Sequence, residues 1–239
     1  GQITGNTRDL DVYLLNFDDY RNSLPASMQV DIETLRDFLH RHWQIEHRAL
    51  VRALDSARYR RLVSSWRTFL ETPVKERSTL PNARRPVYEV ACERIWRVYK
   101  RILKEGRAIE EDTPAEALHD LRKTAKKLRY LMEFFQSLFP SGKIKRLIGV
   151  LKSLQNNLGD FQDYEVQVHT LKRFSEQMVE EDMAPAGTLL AMGMLIEGLE
   201  RRQQQARHEF SKRFGTFSLP DNQAHFRELF ARPARAAGT

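Results

Sequence analysis

The run HDLRKTAKKLRYLMEFF, at residues 119–135, constrains the fold of this chain more than any other stretch. Four of its basic or titratable side chains recur at steps of three, four and three residues, which places them within a stripe about 80° wide on a helix. Apolar residues from Leu121 to Phe135 gather on the opposite side. The run predicts an amphipathic helix whose basic stripe, called here the 119–129 row, consists of His119, Arg122, Lys126 and Arg129.

More positive charge flanks this row. Lys123, Lys127 and Tyr130 lie beside the stripe, and Asp120 is the one acid between residues 119 and 130. Like charges one turn apart on a helix repel each other by a few tenths of a kcal/mol per pair. The pattern therefore favours an anionic ligand that offsets the repulsion, with a solvated helix face as the alternative interpretation.

Helical periodicity extends over the whole chain of 239 residues, and no segment shows a convincing strand alternation. The expected fold class is therefore all-α. Proline and glycine mark the predicted breaks, and the last residues, ARPARAAGT, are predicted to be a disordered tail. We predict helices near residues 9–22, 29–53, 56–71, 85–107, 114–138, 142–156, 160–181, 187–214 and 221–230.

The composition indicates the kind of partner and compartment. With 39 basic and 32 acidic residues the chain carries a net charge of +7, which favours nucleic acid, phosphate polymers or anionic membranes as partners. The single cysteine, Cys92, fits a reducing compartment, and we expect a cytoplasmic protein. The longest apolar stretch is far shorter than a membrane span, and the amino terminus has no signal-peptide pattern, so we expect no membrane partner.

A weak internal sequence repeat, called here the internal echo, divides the chain into two parts. TGNTRDLDVY at 4–13 aligns with LGDFQDYEVQ at 158–167, at an offset of 154 residues. Gly5 and Gly159 are both predicted at helix junctions, followed by acids that suit the first turn of the next helix. Any capped helix can show that local pattern, but the echo continues downstream, where the helix at 29–53 corresponds to the one at 187–214.

Two related helical halves follow from this echo. We predict a first half at 1–110 and a second half at 111–239, folded as two pseudo-symmetric antiparallel bundles. At the same offset, the counterpart of His119 falls before Gly1. The first bundle is therefore expected to lack its first helices.

A second basic row precedes the first along the chain. The 94–104 row has the same three, four, three spacing, and Lys100 lies beside it. Between residues 84 and 107 there are eight basic and three acidic residues, a balance of +5, whereas residues 1–40 have three basic and seven acidic residues, a balance of −4. This concentration of charge favours a focused electrostatic site. The row consists of Arg94, Arg97, Arg101 and Lys104.

The residues at 119–135, followed by LGDFQDYEV, resemble the second half of a CHAD domain, the conserved-histidine α-helical domain. TRDLDV at 7–12 resembles the corresponding segment of the first half. The resemblance implies two helical bundles related by a pseudo-twofold axis, with basic helices lining a channel or groove that binds inorganic polyphosphate. It further implies that Arg122, Lys126 and Arg129, at the family's HxxRxxxKxxR positions, contact phosphate, with His119 as the named histidine.

We therefore expect non-catalytic binding of polyphosphate, or of another phosphate-rich polyanion, with no cofactor and no metal. Lys152, which precedes LGDFQDYEV, is a supplementary candidate ligand. Phosphate oxygens suit forked arginine contacts and mobile lysine charges, and release of condensed counterions drives such binding. The oligomeric state is not indicated by the sequence.

Three other functions remain open. Nucleic acid also binds to cationic rows, although binders of single strands usually add stacking aromatic residues, and only Tyr130 lies near the 119–129 row. We expect any nucleic-acid binding to be weak. A metal-dependent phosphohydrolase is suggested by the dipeptide His119-Asp120, but neighbouring residues on a helix point about 100° apart and need ligands from other helices. A protein-interaction module is a further alternative.

Overall fold

The computed structural model describes residues 2–73 and 80–231, and that part of the chain contains helices and no strand. The predicted all-α class is confirmed. The predicted disordered tail lies, except for Ala231, outside the described residues. The α-helices are α1 (Gln2–Leu15), α2 (Phe17–Asn22), α3 (Glu33–Leu54), α4 (Ala57–Glu71), α5 (Val87–Arg107), α6 (Ala115–Phe134), α7 (Ser141–Glu180), α8 (Ala186–Phe217) and α9 (Pro220–Phe230), with short 3-10 turns at Ala26–Met28 and Gln136–Leu138.

The predicted break near residue 158 is wrong, because α7 is one helix of 40 residues. Leu151, Leu154, Leu158 and Phe161 are all buried, at steps of three, four and three, so the apolar stripe continues without interruption. A glycine inside a helix costs only about 1 kcal/mol, which this packing offsets. Gly159 therefore lies inside α7, and Gly5 inside α1, rather than at helix junctions.

The predicted helix at 9–22 is divided in the structure. α1 ends at Leu15, and Asn16 separates it from α2. The side-chain amide of Asn16 donates a hydrogen bond of 2.8 Å to the carbonyl oxygen of Val12, one turn back. Asparagine competes in this way with the regular helix ladder, which explains the interruption.

The chain forms two compact units. Unit 1 consists of residues 1–76 and 167–199, and unit 2 of residues 77–166 and 200–239. α7 and α8 each contribute residues to both units. These units follow spatial contacts, whereas the predicted halves 1–110 and 111–239 follow the internal repeat, and the repeat and its pseudo-symmetry stay predictions.

In unit 1, α1 packs on α3 around an aromatic core. Tyr13 and Phe38 both meet the ring of Phe174 edge to face, with ring centroids 5.6 Å apart in each case. The hydroxyl of Thr188 donates a 2.7 Å hydrogen bond to the backbone carbonyl of Asp31, next to the start of α8. No helix within the described ranges is long and apolar enough to cross a membrane.

In unit 2, α5 packs against both α6 and α9. Tyr99 stacks on Phe226 with ring centroids 3.8 Å apart, and Phe217 meets both rings edge to face. Aromatic pairs of this kind contribute about 0.5–1.5 kcal/mol beyond the area they bury. This cluster fixes α9 and the end of α8 on the buried face of α5, so that the basic residues of α5 face outward.

Gly106 allows the close approach of α5 and α8, because any β-carbon at this position would overlap the ring of Phe214. We expect Gly106→Ala to lower the free energy of unfolding by about 1–3 kcal/mol, since an aromatic ring packed in the core cannot move aside freely. The matched control is Gly159→Ala on α7, where the β-carbon meets open space. That change should stabilise the chain by about 0.5–1 kcal/mol. Urea unfolding measures both, and a destabilised control would contradict an uninterrupted α7.

Tyr99 makes the stability of the chain sensitive to alkaline pH. Its hydroxyl is buried without a hydrogen-bond partner, and burial raises the pKa of Tyr99 to about 12, an effect that Arg107 and Arg227 partly oppose. Above pH 10 the unfolded chain loses this proton first, so stability present below pH 10 is lost as the pH rises towards 12.

We expect Tyr99→Phe to be neutral or slightly stabilising at pH 7, because it removes an unpaired polar atom. Between pH 8 and pH 11 the variant should lose about 1 kcal/mol less stability than the parent chain. Urea unfolding at the two pH values measures the difference. Parallel pH profiles for the two proteins would contradict a buried, unpaired phenol.

Candidate functional site

The site is built on α6, whose apolar side is fully covered. Leu121, Ala125, Leu128 and Met132 are completely buried in the core of unit 2. The helix starts directly after Pro114, whose backbone is extended and lacks the donor that a helix interior would need. The burial fixes the rotation of α6 about its axis, and the 119–129 row consequently runs along the edge of its packed face.

The 119–129 row faces acidic residues of α7. The Nε2 atom of His119 lies 2.6 Å from a carboxylate oxygen of Glu165, in a contact whose angles fall outside hydrogen-bond geometry. Arg122 donates a long hydrogen bond of 3.5 Å to Asp163. Since later residues of α6 contact earlier residues of α7, the two helices run antiparallel.

Glu133 closes the far end of the row. Its carboxylate lies 3.8 Å from Nε of Arg129 on α6 and 3.9 Å from Nζ of Lys152 on α7. The guanidinium of Arg129 also lies 5.3 Å from the ring centre of Tyr130. The structure thus brings the supplementary candidate Lys152 to the same end of the site as Arg129.

Lys126 and Lys127 form no ion pair with any residue that the structure describes. Lys123 is paired with Asp120 at 3.0 Å. These three lysines surround a shallow depression of about 540 Å³ on the exposed side of α6. Its other lining residues are Tyr130, Leu131 and Phe134.

The 94–104 row lies on the exposed side of α5. Arg97 pairs with Glu93 at 2.5 Å, and Arg101 pairs with Glu105 at 2.5 Å. Arg94 is exposed, and Lys104 helps to line a separate depression of about 500 Å³, together with Lys100 and Arg107. The two rows therefore belong to the same unit, but Lys126 of one row and Lys104 of the other line different depressions.

Asp120 is the electrostatic link between the two rows. Its pKa is lowered, mainly by the hydrogen bond and charge of Lys123 and further by Arg101 and His119. In turn the pKa of Arg101 is raised, chiefly by Glu105 with a smaller contribution from Asp120. One carboxylate therefore lies within electrostatic range of the start of the 119–129 row and of Arg101 in the 94–104 row.

The acidic residues of α7 that contact His119 and Arg122 were not predicted from the sequence. Asp163 and Glu165 were recognised only as members of the internal echo, not as partners of Arg122 and His119. Two acids spaced two residues apart in the middle of a long helix give no sequence signal of a contact with another helix. The echoed residue in unit 1, Asp11, instead accepts a 2.6 Å hydrogen bond from the indole of Trp43.

Potential metal ligands are dispersed over the described ranges, in which no three histidine, cysteine or acidic side chains come together as a metal site. His119 and Asp120 do not share a partner there, since His119 contacts Glu165 and Asp120 contacts Lys123. Another histidine, His42 of unit 1, contacts Glu181 at 2.9 Å.

The fold and the site define a helical module with two cationic rows on adjacent helices of one unit. The family model of the CHAD domain matches residues 1–172, which include both rows and the acidic segment of α7. The chain belongs to the CHAD domain family. No curated protein matches it. The CHAD domain is not a recognised catalytic family.

Proposed function

We propose that the chain binds inorganic polyphosphate by electrostatic capture on the basic surface of unit 2, without catalysis. The observation that carries the proposal is that two lysines on α6 lack an acidic partner. Lys126 and Lys127 have none among the described residues, and the half-buried cations Arg122 and Arg129 lie on the same helix. Like charges held together on one helix are destabilising unless an anion neutralises them. A phosphate polymer supplies that charge.

The geometry suits a long and repetitive ligand. Arg122 and Arg129 are half-buried and held against carboxylates of the same unit, so each presents its donors in a restricted direction. Lys123 and Lys127 are exposed, and lysine side chains have flexible stems that can follow a polymer as it bends. All phosphates along the polymer are chemically equivalent, so the polymer can shift along the site and still make the same contacts.

The remaining proposed ligands extend this surface. His119, Lys126 and Tyr130 belong to the α6 part of the site, and Lys152 joins it from α7. The 94–104 row, consisting of Arg94, Arg97, Arg101 and Lys104, offers a second line of contacts on α5. We place this binding in the cytoplasm, where the single buried thiol of Cys92 would stay reduced.

The salt dependence of binding tests this mechanism. A single-stranded polyanion that is held by Z cations loses affinity with a slope of about −0.7Z on a plot of log K against log salt. With five or more cations engaged, we expect a slope of about −3.5 or steeper for long-chain polyphosphate, measured by fluorescence anisotropy or calorimetry over a salt series. Binding that hardly changes with salt would contradict electrostatic capture.

Nucleic acid is the second candidate, and one observation favours it. Tyr130 and Phe134 are both exposed beside the lysines of the α6 depression. Exposed aromatic rings next to cations are the typical platform on which single-stranded bases stack. Competition between polyphosphate and single-stranded DNA for the chain distinguishes the two candidates.

A further inference from the structure

The helix α4 exposes an apolar face that nothing in unit 1 covers. None of its 15 residues is buried, and no residue between 40 and 73 is buried either. Trp66 and Phe69 are 60% and 67% exposed. An exposed apolar patch of this size on a structured element marks an interaction surface. The other large apolar residues exposed on the helix are Tyr59, Leu62, Val63 and Leu70.

These side chains share one side of the helix. At 100° per residue the six positions fall within an arc of about 120°, and from Tyr59 to Leu70 they extend along the helix for about 17 Å. The opposite side carries small hydroxylated residues, Ser64, Ser65 and Thr68. α4 is therefore amphipathic from Tyr59 to Leu70, and its apolar face is exposed.

The charges on α4 are arranged around this face. Arg58 borders it on one side and Arg67 on the other, with Arg60 and Arg61 further round the helix. Within the described residues none of the four arginines forms an ion pair, and Glu71 is the only acid of the helix. The surface is thus apolar in the middle and cationic along both borders.

This charge pattern indicates which kind of partner covers the apolar face of α4. In a symmetric pairing of two copies, the bordering arginines of both helices would meet like charges, which opposes self-association. An anionic bilayer surface instead accepts the apolar side chains between its lipid chains and the arginines among its phosphates. Tryptophan and tyrosine are also the residues that favour the interface between headgroups and hydrocarbon.

We propose that α4 lies flat on anionic lipid bilayers and docks the chain peripherally on them. This surface consists of residues of unit 1, whereas the proposed polyphosphate site consists of residues of unit 2. It also revises the expectation of no membrane partner, because the length of apolar segments tests for membrane-spanning helices and not for a helix that lies in the plane of the surface.

Vesicle flotation at low ionic strength tests the proposal. The probe is vesicles of phosphatidylglycerol and phosphatidylcholine in equal parts, with pure phosphatidylcholine as the neutral comparison. We expect the chain to float with the anionic vesicles, and Trp66→Ser with Phe69→Ser to reduce the bound fraction by at least about tenfold. Both residues are exposed, so the variant should keep its fold and its polyphosphate affinity.

Two further variants control the experiment. Leu15→Ser with Leu190→Ser removes two exposed apolar residues of unit 1 outside α4 and should not change flotation. Arg58→Gln with Arg67→Gln should weaken the preference for anionic over neutral vesicles. Circular dichroism of each variant checks that helix content is retained.

Several results would overturn the proposal. One is the absence of flotation with anionic vesicles, and another is flotation that the α4 variant leaves unchanged. A dimer in light scattering that the α4 variant converts to monomers would show that a second copy covers the face. Loss of flotation on substitution of Arg122, Lys126 and Arg129 would instead show that the phosphate site holds the vesicles.

Discussion

Replacing Arg122, Lys126 and Arg129 together by alanine should weaken the binding of long-chain polyphosphate by about 100-fold or more. Each lost contact between a charged donor and a phosphate oxygen removes on the order of 1 kcal/mol or more. Three such losses amount to a factor of about 150. The slope of log K against log salt should also become shallower by about 2, since three cations no longer release counterions.

The helix itself should tolerate this change. Alanine is the best helix former, and the substitutions reduce repulsion among neighbouring cations on α6. The three side chains lie at the edge of the packed face, while the buried residues that hold α6 in place are left intact. Unchanged helix content in circular dichroism therefore separates lost binding from lost structure.

A charge-matched variant is the control for this experiment. Lys145, Arg146 and Lys212 are exposed residues of unit 2 outside both basic rows and without an ion pair in the described part of the chain. Replacing these three by alanine lowers the net charge by the same amount. If this control lost as much affinity as the 119–129 variant, binding would depend on total charge, and the site on α6 would be refuted.

The second large effect concerns stability. Phe226→Ala should lower the free energy of unfolding by about 3–5 kcal/mol, because the ring is completely buried and stacks 3.8 Å from Tyr99. The loss leaves a cavity between α5 and α9, where the rings of Phe217 and Phe230 also meet that of Phe226. For a chain of this size the expected fall in Tm is roughly 6–20 °C.

Phe134→Ala serves as the comparison for this stability measurement. Phe134 is 79% exposed at the end of α6, so its loss should change stability by no more than about 0.5 kcal/mol. Thermal unfolding followed by circular dichroism measures both variants. If the two variants melted alike, the aromatic cluster would not be what fixes α9 on α5.

The helices could be predicted because their signals are local. The 119–129 row and the apolar residues opposite it belong to one continuous stretch of sequence. Burial of Leu121 and Leu128 confirms the predicted apolar face of α6. The break predicted near Gly159 was wrong for a non-local reason. The cost of one glycine in a helix is small, and packing of Leu158 and Phe161 in unit 2 outweighs it.

The candidate site was only partly accessible from the sequence. The spacing of cations showed which side chains share a face of α6, but not which acids on α7 lie opposite them. That depends on the antiparallel register of two helices, which brings Arg122 to Asp163 and His119 to Glu165. The exposed face of α4 was also not foreseen, since an apolar stripe in sequence looks the same whether it is covered or not.

Competition at moderate salt is the most direct test of polyphosphate binding. Long-chain polyphosphate, short phosphate anions and single-stranded DNA compete for the chain against a labelled polyphosphate, at equal phosphate concentration. We expect long-chain polyphosphate to displace the label at a concentration far below that required of DNA or of pyrophosphate, because a dense polymer engages many cations at once. Equal or better displacement by DNA or by pyrophosphate would contradict the proposed function.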